Sequence, residues 1–313
     1  MTQWGRRAAP SLKYLQAAPQ FTEHYFDSEV SGDDSVDGGP TGGLTWDGRV
    51  DRGRDQARLP LLSPYEMAND SATEVVARVL RSAYAADLRK LSGSGGAGAQ
   101  FGTILEAIEA WEQEYREFYP YSSKYDAWLA GKASLTEGEQ RGLNLFSDPE
   151  KGDCARCHPA ARGANGTPPQ FTDYAFVALG APRNARIPAN SDANWYDLGL
   201  CGPERKDFLA RAEYCGKFRT PTLRNAAVRK AFFHNGVFHS LKEVVEFYSQ
   251  RDSNPERWYA REKFDDLPAE YRENVERGSP FGNPAGRPSL TPREVADIVS
   301  FLETLTDGFM TLK

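Results

Sequence analysis

The chain has 313 residues, 40% of them hydrophobic and 12% aromatic, enough to bury a sizeable core in one large domain or two ordinary ones. A net charge of -6 and a pI near 5.4 remove any general electrostatic reason to bind nucleic acid or an anionic membrane, while leaving room for a small basic partner. No apolar run reaches the ~20 residues that span a bilayer, and the opening "MTQWGRRAAP" lacks the apolar centre of a signal peptide.

In chain order, residues 27–58 are rich in Gly, Asp and Arg, and "SGDDSVDGGPTGG" at 31–43 reads as an exposed loop. Residues 73–90 predict one helix with Val76, Val79, Leu80 and Ala83 on its apolar stripe, ended by "SGSGGAG". "TILEAIEAWEQEYREF" predicts a second, with Ile104, Ile108, Trp111 and Tyr115 on one face. "LTEGEQRGLNLF" opens with a capping box, Thr136 and Glu139, in which each side chain satisfies an orphan backbone N–H of the other. Residues 159–230 are dense in Pro, Gly, Asn and Arg, show neither helix nor strand period, and suit loops wrapped around a cofactor. Two capped helices follow, "SLKEVVEFYSQ" and "TPREVADIVSFLETL", the latter with Pro292 at its first position. No strand has a persuasive signal. A weak echo between "RRAAPSLKYL" and "FRTPTLRNAA" suggests two related halves.

The chemistry is concentrated in "KGDCARCHPA". Cys154-Ala155-Arg156-Cys157-His158 is the attachment pattern of a c-type haem, two thiols for the vinyl groups and the adjacent histidine for the iron. Cys201 and Cys215 remain. They either close a short loop as a disulfide, which would place the chain in an oxidising compartment, or are two buried thiols. A zinc site built from all four cysteines is disfavoured because the second pair lacks a tight C-x2-C spacing.

In order along the chain, "RRAAPSLKYL", "GGLTWDGRVDRGRDQARLPLLSPYEMAN", "CARCH", "GKFRTPTLRNAAVRKAFFHNGVF", "SLKEVVEFY" and "LTPREVADIVSFLETL" resemble the bacterial di-haem cytochrome c peroxidases and their MauG-type relatives. The resemblance covers nearly the whole chain, beginning just after the family's first C-x2-C-H. It implies a mainly α, loop-rich fold: a partial N-terminal cytochrome c-like domain over residues 1–119, lacking its own C-x2-C-H, and a C-terminal c-type haem domain over 120–313. It implies one covalent haem c at the encoded site and a second in a complete protein, the chain being expected to be N-terminally incomplete, its export signal lost with that end. The implied location is the periplasm.

The resemblance also assigns roles. His158 would be the proximal iron ligand. Tyr248 would be the sixth ligand, where other members carry Met; the three Met here, at 1, 67 and 310, all lie elsewhere. A phenolate donates charge and favours higher iron oxidation states, whereas Met raises the potential, so Tyr248 points towards MauG-like storage of oxidising equivalents. Read from the residues alone, Tyr248 shares an apolar stripe with Leu241, Val244 and Val245 and could simply pack there. In the N-terminal half, Glu66 would move a proton between peroxide oxygens, Gln56 would orient peroxide or water, and Trp46 would lie between the two haems as an electron relay, with Pro60 at the family's spacing. Without the resemblance, Glu66 reads as a solvated acid and Trp46 as a core aromatic. Members usually hold calcium between the domains, but the asparagine position is Ala8, and residues 229–231 offer only backbone carbonyls, which argues against it. The implied reaction is oxidation by hydrogen peroxide of a small redox protein or of protein side chains. The alternative is a one-haem electron-transfer or sensor protein without peroxidase activity.

Overall fold

The computed structural model describes residues 4–26, 37–163, 165–283 and 286–309. Four helices, α1 (Gly53–Leu62), α2 (Ala72–Val79), α3 (Ala85–Ser92) and α4 (Ala97–Glu112), form the N-terminal bundle. Short α5 (Tyr115–Phe118) and α6 (Lys124–Leu129) lead to α7 (Glu137–Ser147), α8 (Leu241–Gln250) and α9 (Pro292–Glu303). Between α7 and α8 runs a long irregular stretch, as its lack of period predicts. Among the described residues its one regular strand pairing is antiparallel β1 (Phe176–Val177) with β2 (Phe218–Arg219).

The caps are formed as read: Thr136 with Glu139, Ser240 with Glu243, and Thr291 with Glu294, each closing both arms of a capping box. Each box satisfies two backbone donors that would otherwise be orphaned at a helix start.

Two apolar stripes differ from expectation. The helix expected over 73–90 breaks after Val79 and restarts at Ala85. Its buried positions are Val75, Val76 and Leu88, while Ala83 is exposed. On α4 the stripe is rotated by one residue: Phe101 and Leu105 are buried, Ile104 and Ile108 only flank the cluster, and Trp111 and Tyr115 are 60% and 45% exposed. Periodicity gives the angular width of an apolar face but not which edge of it meets a neighbour.

Residues 31–36 of the expected exposed loop lie outside the described residues. Asp37 and Gly38 are exposed, but its end at 40–43 is buried, and α1 begins within the Gly-, Asp- and Arg-rich stretch, at Gly53.

Two main apolar clusters result. One gathers Ala57, Leu61, Val75, Val76, Leu88, Phe101 and Leu105 within the bundle. The other joins Tyr125, Phe146, Phe171, Ile298, Phe301 and Leu305 from the second part of the chain. In the latter, α7 and α9 cross so closely that a Cβ on Gly142 would lie 2.0 Å from the carbonyl oxygen of Asp297, so only glycine permits the approach.

The first residues dock on the second half. Ala8 N–H donates to the His234 carbonyl (2.7 Å), and Thr41 bridges Ala175. The echo seen in the sequence is structural. Tyr14 (φ 65°) and Asn225 (φ 60°) are both left-handed and both precede a single 3-10 turn. Two residues before each turn residue's predecessor, Ser11 and Thr222 accept from the backbone N–H of Lys13 and Arg224.

Candidate haem site

The haem motif follows α7 through a tight turn in which Gly152 N–H donates to the Leu145 carbonyl and Asp153 is left-handed (φ 46°). Cys154–Arg156 then forms one 3-10 turn. This turn presents Cys154, Cys157 and His158 to one cavity. Most of the rest of the lining is apolar, including Phe146, Leu179, Leu223, Val245 and Ile298. The cavity encloses about 1580 Å³ of empty space, its open mouth included, ample for a large planar macrocycle.

Four features fit a haem bound there. First, Nδ1 of His158 is hydrogen-bonded to the Phe171 carbonyl (2.7 Å); with the ring nitrogen as donor this fixes the imidazole and leaves Nε2 for a metal. Secondly, burial pushes the Cys154 thiol up to about 12 and the Cys157 thiol up to about 11, and both face the same largely apolar cavity. Thirdly, Tyr248 lies on the same cavity, near enough to both thiols that their ionised forms would add to the burial that raises its phenol pKa. Its ring stacks on Phe281 at 5.4 Å, and its hydroxyl has no protein hydrogen-bond partner among the described residues. Fourthly, Arg219 lines the wall with its pKa lowered by burial, its carbonyl-directed Nε on Thr45 and no carboxylate paired with it among the described residues. A buried guanidinium in that condition suits the carboxylate edge of a cofactor.

Cys201 and Cys215 are joined in a disulfide, with Cα atoms 4.8 Å apart. That pairing decides between the two readings of these cysteines and excludes the four-cysteine zinc site.

The structure separates the sequence-predicted residues into two groups. Cys154, Cys157, His158 and Tyr248 share the cavity, and Trp46 joins them at its wall. Trp46 is fixed at both ends: its indole N–H donates to the Ala8 carbonyl (2.8 Å), and its own carbonyl accepts from Arg219 N–H (2.9 Å). Gln56 and Pro60 lie instead on α1, and Glu66 in the turn after it; none of the three lines this cavity, and the Glu66 side chain is exposed. That turn is tied to the chain start by Arg6, which donates to the Tyr65 hydroxyl (2.6 Å).

Sequence reasoning missed several cavity residues. His234, quoted within "FFHNG" but given no role, is buried, stacks on Phe218 at 3.5 Å and leaves Nε2 without a hydrogen-bond partner. Burial lowers its pKa to about 4. Beside it, Asp266 is pushed up to about 7, burial being the main cause, although the Asn235 amide and Arg183 pull the other way. Asp197 pairs with Arg7, which also reaches Asp47 (2.7 Å). Burial opposes the charge on Arg7, but the two carboxylates outweigh it and raise the guanidinium pKa. The motif "FHNG" was the available signal for His234. Asp197 and Asp266 sit in aperiodic segments and had none.

Comparison with known proteins identifies the family. The family model for di-haem cytochrome c peroxidase matches residues 1–134. The methylamine utilization protein MauG of Paracoccus denitrificans is 30% identical over 97% of this chain and 75% of its own length. The cytochrome c551 peroxidase of Nitrosomonas europaea is 30% identical over 67% of this chain and 55% of its own length. Among solved structures, the diheme peroxidase BthA of Burkholderia thailandensis superposes with a TM-score of 0.86 at 37% identity, covering 97% of this chain and 73% of that one. The chain belongs to the di-haem cytochrome c peroxidase and MauG family.

Proposed function

We propose that the chain is a haem c oxidoreductase in which Cys154 and Cys157 would anchor the haem, while His158 and Tyr248 would hold its iron. The observation that carries this reading is the Tyr248 hydroxyl, turned into the same cavity as His158 with no protein partner. A phenol on a largely apolar cavity wall, without a hydrogen bond to protein among the described residues, is available to a metal. When bound, the haem supplies one-electron redox chemistry. His158 is held in register by the Phe171 carbonyl, and Tyr248 would serve as a ligand in its phenolate form.

Reduction of one hydrogen peroxide to two waters takes two electrons and two protons. In this reading a small redox protein, or the side chains of a protein substrate, supplies the electrons one at a time. Trp46, pinned on the cavity wall, passes them towards the α1 side. There Gln56 orients peroxide or water, and Glu66, open to solvent, exchanges the protons. That side belongs to a second haem, which this sequence, with a single C-x2-C-H, does not anchor through cysteines of its own. The disulfide and the haem attachment both favour the periplasm, and no described helix is long and apolar enough to cross a membrane.

The test is to express the chain in a periplasm competent for haem attachment and to count covalent haem on a stained denaturing gel. Peroxide-dependent oxidation of a reduced c-type cytochrome is then measured. Haem with turnover supports the peroxidase. Haem without turnover supports the one-haem electron-transfer alternative, and no haem overturns both.

A further inference from the structure

The family's calcium does not fit this chain. The positions that the resemblance assigns to it do come together: a Cβ on Gly236 would lie 3.5 Å from the Ala231 methyl and 3.6 Å from the Ala8 methyl. What meets there is two methyl groups, neither of which can ligate a hard cation. Three of the nearby backbone oxygens are engaged by protein donors. Ala8 O accepts from Trp46 Nε1 (2.8 Å), Ala9 O accepts from Arg229 Nη2 (2.6 Å), and Lys230 O is hydrogen-bonded to His239 Nδ1 (2.9 Å). No cluster of three or more His, Cys, Asp or Glu side chains suited to a metal occurs among the described residues.

Arg229 is the unusual member of this seam. It is half-buried, and burial lowers its pKa with no carboxylate opposing it. No ion pair to it occurs among the described residues, in a chain where most other buried arginines have a carboxylate partner: Arg7 with Asp197, Arg224 with Asp126, Arg251 with Asp252. Its polar contact is a main-chain carbonyl 220 residues away. A cation held by backbone oxygen between the two halves is what a bound metal ion would otherwise provide, and a guanidinium supplies the same charge with directional N–H donors.

We infer that Arg229 is a built-in replacement for calcium: its guanidinium clamps the Ala9 carbonyl, closing the seam beneath Trp46 without a free divalent ion. The consequence is a haem protein whose junction between the chain start and the second half is indifferent to chelators. Because Ala8 both receives the Trp46 indole and donates to the His234 carbonyl, the clamp also sets where Trp46 stands on the cavity wall.

The experiment uses the full chain with haem attached and reads calcium content and melting temperature, neither of which depends on peroxide turnover. After dialysis, the protein is expected to hold no stoichiometric calcium and to melt at the same temperature in EGTA and in millimolar calcium. Arg229→Ala is expected to melt roughly 2–4 °C lower, with Arg229→Lys recovering part of the loss and added calcium recovering none of it. One calcium per chain, or a melting temperature that falls in EGTA, overturns the proposal. So does an Arg229→Ala variant that melts like the parent.

Discussion

Arg224 grips Asp126 with two parallel N–H to oxygen bonds of 2.9 Å each, both side chains being buried, while its guanidinium lies 4.8 Å from the Tyr14 ring and 4.7 Å from the Tyr121 ring. One residue thus ties together α6, the chain start and the segment after β2. Asp126 also caps α6 through Ser123, so its carboxylate serves two structures at once. Asp126→Asn should lower stability by about 3–5 kcal/mol, because it leaves the Arg224 charge buried without a counter-ion. Urea denaturation of the haem-loaded protein measures it, and a loss below about 1 kcal/mol would contradict this account.

The same pair sets an acid limit. Burial raises the Asp126 pKa, but the hydrogen bonds and charge of Arg224 outweigh it, and the net shift is downward. A carboxyl whose folded pKa is depressed gives stability that is present above its unfolded value and lost as pH falls through the folded one. The unfolding free energy of the parent should therefore fall with pH below about 4, and Asp126→Asn should flatten that slope.

Tyr248 can be tested by spectrum. Tyr248→Phe should change the visible bands of the haem while leaving covalent attachment intact. Tyr248→Met should raise the midpoint potential, since a thioether ligand favours the reduced iron. An unaltered spectrum in Tyr248→Phe excludes the phenol as a ligand.

Gly142→Ala should be among the most damaging single methyl additions to the chain. Its Cβ would meet the Asp297 carbonyl oxygen at 2.0 Å and the Phe301 Cβ at 2.8 Å, both from α9. Prising α7 from α9 should remove about 1–3 kcal/mol or more, seen as a lower melting temperature. The neighbouring Gly138 has more room and should tolerate alanine better.

Reduction of the Cys201–Cys215 disulfide should remove ~3 kcal/mol in the chain-entropy account. Thermal melting with and without a thiol reductant measures the loss. The covalent haem should survive, because thioethers are not reduced by thiols.

The haem half of the site was readable because its signals are local. C-x2-C-H is a five-residue pattern, the capping boxes span four, and Tyr248 lies one helical stripe beyond Ser240. In the N-terminal bundle α4 was readable as a helix and α2 with α3 as a single unbroken one, whereas α1 was not read; the buried faces were misplaced as well, since α4 turns Phe101 and Leu105 inward, where Ile104 and Ile108 would satisfy the same period. His234, Asp197, Asp266 and Arg219 come from segments without period, and their convergence depends on loops crossing from 47 to 266. Arg229 was unreadable for a further reason. Its partner is a backbone carbonyl, which every residue possesses and no sequence pattern marks.

Phe171 belongs to two systems at once. Its ring is fully buried in the cluster with Tyr125, Phe146 and Phe301, while its carbonyl holds His158, and its backbone is left-handed (φ 53°), so the two ends cannot move independently. With His158 as the proposed iron ligand, repacking that cluster is expected to shift the imidazole and with it the redox potential. In this protein, evolution of thermal stability and of haem tuning must therefore proceed through the same side chains.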